Sequence, residues 1–186
     1  MTEAKVRPRD FAMATLILSV VGSDRPGLTQ ALATAVRSAG GNWLESHLSR
    51  LGGLYVGSLL VELDADGVEA LRAAVRSVDA QGLEVRIASS IDTPGLGGEE
   101  VLFSLVGKDR SGIVHQVTTV LSGIDINIEA FDTHISAEPH SGAPLFHVAA
   151  RLRLPPALKA EDVQMALEAI SAEIMVDITL APAKAR

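Results

Sequence analysis

The chain has 186 residues, 47% hydrophobic and 21% charged, which leaves room for one medium domain or two small ones and excludes a disordered or fibrous protein. A formal charge of −7 repels phosphate backbones, and the absence of cysteine removes disulfides, thiolate nucleophiles and cysteine-ligated zinc. One Trp, one Tyr and four Phe are too few for a base-stacking surface, so direct nucleic-acid binding is not expected.

At the amino terminus, Lys5, Arg7 and Arg9 precede an apolar stretch from Phe11 to Gly22, an arrangement that imitates a secretion signal. Glu3 and Asp10 interrupt its basic part and no small-residue cleavage site follows, so the stretch reads as a strand after a tail over 1–13. No run approaches the roughly 20 apolar residues that a membrane-spanning helix needs, and a cytoplasmic location is expected.

The first strand, Leu16–Val21, runs into the turn Gly22-Ser23-Asp24-Arg25-Pro26-Gly27-Leu28, in which Pro26 suits a first helical turn. Leu28, Leu32, Ala35, Val36 and Ala39 then fall at helical spacing. A hairpin follows over roughly 42–51 and 54–63, with Tyr55, Leu59, Val61 and Leu63 on one face of its second strand. A helix with Val68, Leu71, Val75 and Val78 and a strand from Leu83 to Ile91 complete the set.

After a Pro- and Gly-punctuated linker over 93–99, everything recurs. Gly107-Lys108-Asp109-Arg110-Ser111-Gly112-Ile113 repeats the turn 85 positions later, and at the same offset Thr34 meets Thr119 and Asn42 meets Asn127. The second helix-strand series carries Ile113, Val117, Val120, Leu121 and Ile124. Its hairpin lies over 126–136 and 144–154, its second helix holds Val163, Leu167 and Ile170, and its closing strand runs from Ile174 to Leu180. Two units, 14–92 and 100–182, with a short tail over 183–186, are therefore expected. Each is a βαββαβ, ferredoxin-like α+β unit with strands one and three central and strands two and four at the edges. An uncovered second strand is a hazard unless paired, so the two sheets are expected to join edge to edge into one eight-stranded antiparallel sheet with helices on one face.

The Gly-x-Asp-Arg-x-Gly-[Leu/Ile] turn, with Asn fifteen residues past its second glycine, resembles the ACT domain, present twice. ACT domains are small regulatory modules that bind amino acids where two units meet. The tandem, with Asn127-Ile128-Glu129 and the stretch Pro139 to Phe146, resembles the glycine cleavage system transcriptional repressor family. That resemblance implies a small amino acid ligand, glycine or serine, and a LysR-type transcription activator as protein partner, with homodimerisation a further option through the exposed hairpin Ala137 to Ala143.

The chemistry of the residues agrees. Gly27 and Gly112 let backbone N–H groups at a helix start approach a carboxylate without an intervening Cβ. Asn42 and Asn127 each offer a donor and an acceptor to a ligand's carboxylate and ammonium. Asp24, Gly27, Leu28 and Asn42, with Asp109, Gly112, Ile113 and Asn127, are the candidate ligand-binding residues. Pairing of the two edge strands would bring each Asn near a glycine turn. A purely structural reading stands beside this one: glycines for the turn, aspartates as helix caps or partners of Arg25 and Arg110 in exposed ion pairs, asparagines as strand entries.

Other chemistries rank lower. His134 and His147 would sit across from each other in the second hairpin, without a third ligand at metal-site spacing. Ser141, His140 and Asp132 make a hydrolase only on paper, since no Gly-x-Ser-x-Gly elbow is present. There is no Walker loop or strand-linked Gly-x-Gly-x-x-Gly, and a formyltetrahydrofolate deformylase would need a further catalytic domain. No enzyme activity, metal or cofactor is expected. The alternative to an amino-acid sensor is a non-sensing interaction module of the same fold.

Overall fold

Alternation along the first strand becomes burial on one face: Leu16, Leu18 and Val20 are each at most 4% exposed, while the residues between them face away. The computed structural model describes residues 12–80, 82–91, 97–174 and 176–183, with the side chains of the last helix up to residue 170. The chain divides into two units between residues 93 and 94. The amino-terminal tail, most of the linker and the last residues lie outside the described residues.

Unit 1 runs β1 (Met13–Ser23), α1 (Leu28–Ser38), β2 (Asn42–Leu51), β3 (Leu54–Asp64), a 3-10 turn at Ala65–Gly67, α2 (Val68–Asp79) and β4 (Leu83–Ser89). Its strands pair in the order β2-β3-β1-β4, all antiparallel. Leu28, Leu32, Ala35 and Val36 of α1 and Leu71, Val75 and Val78 of α2 close over Leu59, Val61 and Leu63 of β3. Burying one such side chain contributes roughly 1.5–3 kcal/mol, so the periodic apolar residues supply both the pattern and the driving force. Pro26 sits in the turn, two residues before α1 begins, so it rigidifies the approach and is not part of the first helical turn.

Unit 2 repeats the series as β5 (Glu100–Lys108), α3 (Ile113–Gly123), β6 (Asn127–Ala137), β7 (Pro144–Arg153), α4 (Ala160–Ile174) and β8 (Val176–Pro182), with strand order β6-β7-β5-β8. Val101, Phe103 and Leu105 of β5 and Val148, Ala150 and Leu152 of β7 pack with Ile113, Val117 and Leu121 of α3 and Val163 and Leu167 of α4. The two cores have no residue in common.

Within each unit the strand pairing makes one antiparallel sheet of four, with strands one and three central as the βαββαβ order predicts. β2 and β6 are each the edge of their own sheet, and both carry features that blunt an edge. Each has a bulge near its start, at Leu44 and at Glu129. Both also carry exposed charged or polar side chains, Glu45, His47 and Arg50 on β2 and Asp132 and His134 on β6. Bulges and edge charges limit which strands can add to such an edge.

Candidate ligand site

Both glycine turns have the same shape. Gly27 has φ 94° and ψ −5°, and Gly112 has φ 96° and ψ −6°, the left-handed conformation, each immediately before its helix. Neither helix start has a side-chain cap, and the first recorded backbone bonds are Ala31 N–H to Gly27 O and Gln116 N–H to Gly112 O. The N–H groups of the first turn are thus left for another acceptor, at the positive end of the helix dipole. Leu28 and Ile113 are each 2% exposed, so only their backbone amides can meet a ligand. Nothing lies within 4 Å of a Cβ built on Gly27, which makes the conformation its one requirement. Gly27→Ala is expected to cost about 1 kcal/mol through strain alone, with Gly27→Asn recovering part of it, as a urea denaturation series will read.

Both aspartates anchor their turns to the neighbouring hairpin through the backbone. The Asp24 carboxylate meets the Arg50 guanidinium of β2 at 3.1 Å, and the Asp24 N–H reaches Gly53 O in the β2–β3 hairpin. Thr29 on α1 and Tyr55 on β3 share a 2.7 Å hydroxyl bond that fastens the same corner. In unit 2 the Asp109 N–H reaches Pro144 O, and Arg110 donates to Gln116 while its Nε is buried without a partner.

The asparagines lie at the far end. Asn42 opens β2 in register with Glu62, whereas the turn after β1 adjoins the other end of β3, where Ser23 pairs with Leu54. Eight residues of strand separate Leu54 from Glu62, about 27 Å at 3.4 Å per residue. Unit 2 repeats this, with Lys108 opposite Leu145 and Asn127 opposite Arg153. Within one unit, the glycine turn and the asparagine are not brought together.

The asparagine ends differ in charge. In unit 2, Arg153 holds Glu129 through Nε at 2.8 Å and Nη2 at 3.1 Å, and Glu100 through Nη2 at 2.9 Å. The hydrogen bonding that Arg153 donates to Glu129, with the charges of both carboxylates, raises the guanidinium pKa above its ordinary value. In unit 1 the corresponding row is Asn42, Glu62 and Thr15. Sequence reading missed Glu62 and Arg153 because their pairing with the asparagines depends on hairpin register.

A groove of about 310 Å³ on unit 1 runs from Gly27 between α1 and α2, past Thr34, Ser38 and Ser77. Those three hydroxyls donate to the carbonyls of Gln30, Ala35 and Ala74 within their own helices. Among the described residues no charged side chain lines this groove, so they offer nothing to neutralise a zwitterion. In the second hairpin, His134 and His147 do pair across strands, their rings stacked at 4.4 Å, and His147 Nε2 lies 2.7 Å from Ser136 Oγ. Among the described residues no three His, Asp or Glu side chains are grouped to hold a metal, and none of the helices is long and apolar enough to cross a membrane.

Duplicated βαββαβ units with a glycine turn after the first strand define the class. Residues 14–88, unit 1, match the ACT domain family, and unit 2 repeats the same order of elements. A protein of unknown function from Galdieria sulphuraria has the same fold over nearly its whole length, at 28% identity and TM-score 0.82, with 92% of this chain and 99% of that one covered. A structure assigned provisionally as a glycine cleavage system transcriptional repressor aligns at TM-score 0.68 and 17% identity over 93% and 99% of the two chains, a likeness of fold. No curated protein matches the chain.

Proposed function

We propose that the protein is a regulatory module that responds to a small amino acid, glycine or serine, and acts on a protein partner. The observation that carries this is the pair of uncapped glycine turns, each at the opposite end of its sheet from the asparagine of its own unit. A ligand of a few atoms cannot touch both in one unit. One that uses both is held by the turn of one ACT-like unit and the asparagine of another, so its binding energy depends on how two units are arranged. A ligand that prefers one arrangement shifts the population toward it, which is the physical requirement for a sensor. Resemblance to the glycine cleavage repressor family extends the reading to a LysR-type activator as partner, contacted as protein, and to transcriptional control of glycine cleavage.

Thermal denaturation with glycine or serine tests it. At about 100 times the dissociation constant the ligand stabilises the native state by roughly 2.7 kcal/mol, a shift of several degrees in the midpoint. The double variant Asn42→Ala with Asn127→Ala is expected to lose that shift. No shift in the wild-type protein with either amino acid would overturn the sensor and leave an interaction module that binds its partner without a ligand.

A further inference from the structure

We propose that the two asparagine ends are not equivalent sites: Glu62, beside Asn42, is the carboxylate that receives the ligand's ammonium group, and the matching end of unit 2 is filled by its own Arg153. This rests on the amino-acid reading above. The two repeats are internal controls for one another, because the same place in the fold is occupied twice by different chemistry. Each end is a row of three residues across the sheet face opposite the core, Asn42–Glu62–Thr15 in unit 1 and Asn127–Arg153–Glu100 in unit 2. Val61 and Leu63 on one side, and Leu152 and Leu154 on the other, point into the cores, which puts Glu62 and Arg153 on the open faces.

In unit 2 the row is complete. A guanidinium sits between two carboxylates with bonds of 2.8–3.1 Å, and one of those carboxylates, Glu129, is delivered by the extra residue of the β6 bulge. The corresponding bulge residue in unit 1 is Leu44, which supplies no charge. There the position of the cation is taken by a carboxylate, Glu62, half-buried, with no hydrogen bond or ion pair recorded to any described residue. A half-buried anion without a counter-charge is the electrostatic complement of an ammonium group, and Asn42 beside it adds an amide that accepts from the same cation. Unit 2 shows that this corner of the fold binds a nitrogen cation between acceptors. Unit 1 leaves that place to a ligand, here a primary α-amino acid.

Isothermal titration of glycine and serine into the full-length protein decides the matter. The expected stoichiometry is one ligand per chain. Glu62→Gln, which keeps the shape and removes the charge, is expected to raise the dissociation constant at least tenfold, and Glu62→Arg, which copies unit 2, to abolish binding. Trimethylglycine, whose nitrogen has no N–H, should bind the wild-type protein far more weakly than glycine. Circular dichroism melts of each variant separate lost binding from lost folding. If the wild-type protein binds and Glu62→Gln binds equally well, or if two ligands bind per chain, the assignment falls while the amino-acid reading stands. If the wild-type protein binds neither glycine nor serine, that reading falls first and takes the assignment with it.

Discussion

Phe103→Ala is expected to destabilise unit 2 by about 3–5 kcal/mol, the largest effect of any single side chain considered. Phe103 is 1% exposed on β5, a central strand, and heads the fully buried side chains by volume. Its cross-strand neighbours are Ala150 on β7 and Leu180 on β8, so a small residue on one side makes room for the ring. Removing the ring leaves a cavity that backbone on both sides, held in ladders, cannot collapse into. A unit of this size has roughly 5–10 kcal/mol of stability, so the loss consumes much of it. Amide hydrogen exchange across β5 and β7 should accelerate sharply, while Phe103→Leu, which keeps most of the volume, should cost about 1 kcal/mol. A loss below 1 kcal/mol for the alanine variant would mean that the core repacks in a way the ladders do not permit.

Gly57→Ala should cost unit 1 about 3 kcal/mol, and the cause is backbone geometry. Gly57 lies in β3 with φ 147°, between Val20 of β1 and Leu48 of β2. A Cβ there would overlap the His47 carbonyl oxygen and press to 2.9 Å of Leu48 Cα. Both are main-chain atoms, so no rotamer change relieves the clash and β2 must move away from β3. The chain's one Trp, Trp43, is in β2 and packs against the core of unit 1, which makes its fluorescence a report on this unit. The urea midpoint by that signal should fall by about 1–2 M. Because β2 also sets Asn42 opposite Glu62, amino-acid binding should weaken in the same variant. An unchanged midpoint would mean that the strand pairing absorbs a methyl group at no cost.

The repeats show where local pattern suffices and where it stops. Helical spacing of Leu28, Leu32, Ala35 and Val36 and alternation along Leu59, Val61 and Leu63 specify which face is buried, because burial is the dominant energy and has the period of the element. The left-handed glycines were equally readable, since a turn from strand to helix that needs positive φ selects glycine. The element order, the duplication and the central and edge strands follow from these signals together with the handedness of crossovers.

Contacts between strands are another matter. The hairpin of unit 2 is longer than that of unit 1, and each edge strand has a one-residue bulge, so which residue faces Asn42 or Asn127 depends on geometry that no periodicity records. Glu62 and Arg153 therefore emerge only from the register, as does the reach of Arg50 to Asp24. Sequence alone determined which residues are buried and where the backbone must turn, because those are local preferences summed along the chain. Tertiary structure alone decided which polar side chains meet, because a shift of two residues in register keeps the same face buried and still exchanges every cross-strand partner.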